Sequence, residues 1–131
     1  MALIVLDASV VIAQRDSTDA HHSAARKALA EAAAGDLRLP ASAFSEVLVG
    51  PARRGTLDRA RAGIEALGLR VEPISPEIAE EAARLRGRHI ALRLPDALVL
   101  GCAVVLDADA VVTADASWRR YSKRVSVIGS R

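Results

Sequence analysis

The sequence predicts an α/β protein, a three-layer α/β/α sandwich around a short, mainly parallel central sheet. Three observations predict it. Short apolar runs alternate with longer helical patterns, the order that builds a parallel sheet wrapped by helices. The runs are apolar without alternation, as strands buried on both faces are. Much of the 51% hydrophobic content is alanine, which favours helix in the covering layers. A chain of 131 residues accommodates one domain, 1–131, around a single core.

Leu3-Ile4-Val5-Leu6 is a buried strand by its length and branching, and it ends in Asp7. Val10-Val11-Ile12-Ala13 begins a short helix. The cluster Asp16-Ser17-Thr18-Asp19 signals the start of a helix through about Ala34, and Gly35 ends it. Leu37-Arg38-Leu39 alternates as a strand closed by Pro40. Ser42 then caps a helix with Phe44, Val47 and Leu48 on one stripe, Glu46 roughly opposite, and Gly50-Pro51 at its end. Thr56 caps the next helix, whose Leu57, Ala60, Ile64 and Leu67 recur at three and four. Gly68 stops it, and Leu69 to Ile74 is a strand.

Ser75-Pro76-Glu77 combines an N-cap, a first-turn proline and an acidic first turn, and its helix turns Ile78, Ala82 and Leu85 inward. Pro95-Asp96 opens a nearly all-apolar helix. A strand competes there, but Ala, Leu, Gly and Cys favour helix. Ala110-Val111-Val112 and Val125 to Ile128 are the last strands.

Composition excludes several functions. The aromatics are Phe44, Trp118 and Tyr121, too few for a base-stacking sheet. The single Cys102 excludes a disulfide or a Cys-rich metal site and reads as a small buried hydrophobe. Its apolar stretch stops at Asp96 and Asp107, too short to span a bilayer. The first six residues lack a basic segment, so they do not read as a signal peptide, and a cytoplasmic, membrane-free protein is expected. A net charge of +2 permits nucleic acid without arguing for it.

The carboxylates carry the chemistry. Sites in open α/β sheets form beyond the carboxyl ends of the strands. Asp7 ends the first strand, Glu46 lies in the helix after the second, Asp96 opens the buried helix, and Asp115 follows the strand 110–112. Taken singly, Asp96 reads equally as a helix-dipole acid, Asp115 as a turn residue and Glu46 as a surface charge. Asp7, set between four apolar residues and Ala8, does not read as a solvated charge. No lysine lies between Lys27 and Lys123, and no histidine adjoins the four acids. If they converge, a cation must hold them. An all-oxygen cluster suits Mg²⁺ or Mn²⁺, and metal-assisted phosphodiester hydrolysis uses such a cluster.

Leu6-Asp7-Ala8-Ser9, Ser45-Glu46-Val47, Leu94-Pro95-Asp96-Ala97-Leu98 and Val112-Thr113-Ala114-Asp115 resemble the PIN-domain ribonucleases, in particular VapC-type toxins of bacterial toxin–antitoxin pairs. The resemblance runs over essentially the whole chain, and the Leu-Pro-Asp-Ala-Leu segment is its most specific piece. It implies that Asp7, Glu46, Asp96 and Asp115 bind Mg²⁺ or Mn²⁺ and that a metal-activated water cleaves RNA. It also implies a homodimer and a cognate VapB-type antitoxin. Where some members carry a further acid, this chain has Ser117, which bears on a second metal.

Ser9 and Thr113 read either as hydrogen-bond donors that orient Asp7 or Asp115, or as a helix cap and a strand-end hydroxyl. The segment Arg119-Arg120-Tyr121-Ser122-Lys123-Arg124 reads as an RNA-phosphate grip, through Arg119, Arg120, Lys123 and Arg124, or as a solvated loop. Arg53 and Arg54, placed in a loop between Gly50 and Gly55, are a lesser RNA candidate. Trp118 reads as packing, and His21, His22 and His89 as surface residues. An inactive PIN-like module that binds RNA or protein is the alternative function, and retention of four acids argues against it. A HAD-type phosphotransferase needs an aspartate where Ser9 stands, and a receiver needs a lysine that is missing.

Overall fold

The computed structural model describes residues 1–129, so the expected domain 1–131 runs two residues past them. Among the described residues, five strands form one sheet: β1 (Leu3–Leu6), β2 (Asp36–Pro40), β3 (Arg70–Glu72), β4 (Ala110–Thr113) and β5 (Val125–Val127). Their spatial order is β3-β2-β1-β4-β5, and all four pairings are parallel. In β1, Val5 and Leu6 point to opposite faces and both are buried, as are Val111 and Val112 in β4. Both faces are therefore covered, which is the expected three-layer arrangement. Crossovers between parallel strands supply the cover through six helices: α1 (Ala8–Arg15), α2 (His22–Ala32), α3 (Ala41–Arg54), α4 (Leu57–Ala66), α5 (Pro76–Arg88) and α6 (Leu94–Val105).

α6 is the central helix, with Ala97, Val99, Leu100, Cys102 and Ala103 all buried. Burial pushes the Cys102 thiol up to about 12. α5 lies directly on α6. A Cβ on Gly101 would stand 3.0 Å from the Ala82 amide nitrogen and 3.1 Å from the Ile78 carbonyl, so the missing side chain sets how closely the two helices meet. Among the described residues, no helix is long and apolar enough to cross a membrane.

Several local expectations need correction. Asp16 and Asp19 do not cap α2. Each accepts the amide two residues on, from Thr18 and His21, in tight turns that delay the helix to His22. Ser42 is not a cap but lies inside α3, which Pro40 precedes, and its buried hydroxyl has no partner among the described residues. Gly50-Pro51 does not end α3. Pro51 forfeits only one helical bond there, and the helix runs on to Arg54, where Gly55 at φ 73° closes it. Thr56 precedes α4 without a side-chain cap bond, because its hydroxyl donates to the Pro51 carbonyl. The third strand keeps only residues 70–72, since only these meet β2. Ser75 does cap α5, accepting from the Ile78 amide at 3.2 Å.

Candidate active site

β1 lies at the centre of the sheet, and the chain leaves it towards β2 on one side and β4 on the other. That reversal opens a crevice beyond the carboxyl ends of β1 and β4. Asp7 and Asp115 stand at those two ends.

Asp7 is buried at 9% exposure, and its amide donates to the Val112 carbonyl of β4. It occupies the N-cap of α1, yet its side chain makes no cap bond. Instead its Oδ2 accepts from Ser9 Oγ at 2.7 Å and from Thr113 Oγ1 at 2.9 Å. Each hydroxyl is itself fixed by a backbone amide: Ala114 N donates to Ser9 Oγ at 3.0 Å, and Asp115 N donates to Thr113 Oγ1 at 3.1 Å. The chain after β4 thereby orients the acid at the end of β1. Oδ1 of Asp7 makes no hydrogen bond among the described residues.

The other acids surround this one. The Glu46 carboxyl is raised above its ordinary value, first by partial desolvation and then by the Asp7 and Asp96 charges. It stays exposed at the rim, so the surrounding protein withdraws only part of its water. Asp96 is likewise raised, chiefly by burial, with Asp7 and Asp115 adding to the shift and Arg93 opposing it. Asp96 thus lies within electrostatic reach of the other three acids, and Glu46 within reach of Asp7 and Asp96. Among the described residues, no three of them close on one point as a ready cage. Asp115 keeps a local task, its Oδ1 accepting from Ser117 N at 2.9 Å and Ser117 Oγ at 2.6 Å.

Sequence reasoning missed Arg93. Its Nε stands 3.7 Å from Asp96 Oδ2, and its charge also lowers Glu46. The carboxylates therefore do have a protein cation beside them, and its signal was the three-residue spacing to Asp96 at the start of a helix.

The basic segment divides. Arg119 and Arg120 lie exposed in a 3-10 turn, Ala116–Arg120, directly after Asp115, and Lys123 is exposed beyond it. Arg124 lies elsewhere: its guanidinium donates to the Ala108 carbonyl and to Asp107 Oδ1, at the amino end of β4, the opposite end of the sheet from Asp7. Trp118 is a packing residue at 1% exposure. His22 turns a ring nitrogen to the Ala13 carbonyl at 2.8 Å, so it is more than a surface residue, and His89 meets the Tyr121 ring edge-on. Arg53 and Arg54 form the last turn of α3, not a loop.

The donor set, four carboxylates with one buried oxygen pinned and its neighbour unbonded, fits a hard divalent cation such as Mg²⁺ or Mn²⁺. Nothing in it supplies the soft nitrogen or sulfur ligands that zinc favours.

Comparison with known proteins agrees with the fold. A toxin–antitoxin complex from Klebsiella pneumoniae aligns over 95% of this chain and 96% of its own, at 24% identity and a TM-score of 0.79. FitAcB from Neisseria gonorrhoeae aligns over 93% and 95%, at 20% and 0.76. VapC20 from Mycobacterium tuberculosis, a toxin that cleaves the sarcin–ricin loop, aligns over 89% and 93%, at 20% and 0.75. No curated protein matches the chain in sequence. The PIN domain family matches residues 4–124, from the second residue of β1 to the residue before β5. With that match spanning nearly the whole chain, the protein belongs to the PIN-domain family.

Proposed function

We propose that this chain is a single-domain, metal-dependent endoribonuclease that acts in the cytoplasm as the toxin of a toxin–antitoxin pair. The observation that carries the reading is Asp7: a buried carboxylate with one oxygen held by two hydroxyls and the other unbonded, in the field of Glu46 and Asp96. A buried charge is costly unless something compensates it, and two hydroxyls compensate only one oxygen. Asp7, Glu46, Asp96 and Asp115 would hold Mg²⁺ or Mn²⁺, which supplies positive charge for an attacking water and for the phosphate it attacks. Ser9 and Thr113 keep Asp7 in one orientation, so its free oxygen needs no reorganisation when RNA binds. The raised carboxyls of Glu46 and Asp96 gain most from a nearby cation, because desolvation and like charge both oppose their ionisation. Arg119, Arg120 and Lys123 offer charge for RNA beside Asp115, and Arg124, at the far end of the sheet, is left out of that contact.

The likeness to the toxin–antitoxin complex from Klebsiella and to VapBC of Rickettsia felis and Salmonella typhimurium supports a VapB-type antitoxin as partner, and a homodimeric toxin is part of the same proposal. A blocking segment that brings an arginine to the carboxylates would compensate their charge most economically. The test is cleavage of a cellular RNA pool with Mg²⁺ or Mn²⁺. Loss of cleavage in EDTA and in Asp7→Ala, with the fold retained, is expected. Cleavage that survives chelation overturns the metal, and no cleavage of any RNA leaves the inactive binding module.

A further inference from the structure

Two arginines outside the carboxylate set are seated on glycines. Arg15 ends α1 and reaches α4, where its guanidinium lies against bare backbone: a Cβ on Gly63 would stand 2.3 Å from its Nη1. Arg54 folds back over Gly50, one turn earlier in α3, where a Cβ would stand 3.1 Å from Nη1. Both glycines are interior to helices, a placement that costs about 1 kcal/mol relative to alanine. Among the described residues, neither arginine has a carboxylate within ion-pair distance. Asp16, whose charge Arg54 feels, already accepts at Oδ1 from the Thr18 amide and hydroxyl.

Both arginines line one groove of about 540 Å³, together with Ile12, Val49 and the acids Asp16 and Glu46. We propose that Arg15 and Arg54 bind a backbone phosphate of the RNA flanking the bond that is cut, with Ile12 and Val49 against the adjoining sugar or base. The proposal rests on the ribonuclease reading above. Paired guanidinium forks match phosphate oxygens in charge and geometry. An acidic peptide would also satisfy the charge. The groove, however, opens on Glu46, and any strand cut there brings a flanking phosphate with it.

The test is affinity for a short fluorescein-labelled single-stranded RNA of mixed sequence, measured in EDTA over a range of NaCl. Arg15→Gln and Arg54→Gln should each weaken binding roughly tenfold and lower the salt slope by about 0.7. Gly63→Ala keeps every charge but puts a methyl where the Arg15 guanidinium rests. It should weaken binding roughly threefold while melting no lower than wild type, because alanine favours helix. Arg26→Gln, an exposed position on α2, should stay within about twofold of wild type. Wild-type affinity in both arginine variants, an equal loss in Arg26→Gln, or no RNA binding by the wild type overturns the site. Wild-type affinity in Gly63→Ala overturns the seating of Arg15. Oligoglutamate bound by wild type and lost in both arginine variants, with RNA affinity intact, assigns the groove to an acidic protein and also overturns it. If the arginine variants lose RNA affinity yet wild type cleaves nothing with Mg²⁺, the nuclease reading fails and the phosphate contact stands.

Discussion

Thr113 Oγ1 donates to Asp7 Oδ2 at 2.9 Å across 106 positions of sequence, joining the ends of two adjacent strands inside the protein. Thr113 is fully buried, so replacing its hydroxyl with a methyl leaves Asp7 with Ser9 alone on that oxygen. Thr113→Val should cost about 1–3 kcal/mol of stability, from the unmet hydrogen-bonding need of a buried carboxylate. It should also lower RNA cleavage roughly 10–100-fold, as loss of a group that orients a metal ligand does. Thr113→Ser should recover most of both. Denaturant melts and cleavage rates of the two variants decide it, and full activity in Thr113→Val would show that Asp7 needs no such orientation.

The raised carboxyls of Glu46 and Asp96 make stability depend on pH. A carboxyl whose folded-state value lies above its unfolded value holds its proton more tightly in the folded protein. The folded state therefore loses stability as pH rises from the ordinary 4.5 of Glu46 and 3.8 of Asp96 through their raised values. Removing the charge should reverse the loss. In EDTA at pH 7.5, Asp96→Asn is expected to melt about 1–4 °C above wild type, to gain less from added Mg²⁺ and to cleave no RNA. A lower melting point together with no Mg²⁺ effect on wild type would make Asp96 a helix-start acid and nothing more.

Arg93 pulls the other way. Its guanidinium offsets charge at Asp96 and Glu46, and so competes with any metal cation placed there. Arg93→Gln should lower the Mg²⁺ concentration needed for half the thermal shift by roughly three- to tenfold, from the repulsion between a single and a double positive charge a few ångströms apart. An unchanged Mg²⁺ titration would separate Arg93 from the site.

Gly101 controls the contact of α5 with α6. Its prospective Cβ meets backbone atoms of Ala82 and Ile78, which cannot swing aside as a side-chain tip can. Gly101→Ala should therefore destabilise the fold by about 1–3 kcal/mol despite the better helix propensity of alanine. A calorimetric melt no lower than wild type would show that the helices separate freely.

Features encoded within a few residues were legible. Ser75-Pro76 starts a helix because cap and proline act within one turn, and residues 97–103 read as buried because apolar side chains cover every side of α6. Asp7 stood out because a charge directly after four apolar residues has no obvious route to water. The misread features depend on distant partners. Pro51 marks an end only if its helix lacks other support, and packing carries α3 past it. Arg124 follows Asp115 by nine residues, but the chain returns to the start of the next parallel strand, which carries that side chain to the opposite end of the sheet. Arg15 beside Gly63 is a tertiary contact between two helices, with no trace in local sequence.

The central position of β1 has a consequence for synthesis. The first strand made finds its partner β4, and Asp7 its Thr113 hydroxyl, only when more than a hundred further residues have been added. A nascent chain halted before residue 110 has Asp7 and Glu46 but neither the strand that closes the crevice nor Asp115. The first acid is thus made long before it can be oriented. Translation delivers the completed cluster late, so a stalled or truncated product carries Asp7 without the hydroxyl of Thr113 that orients it.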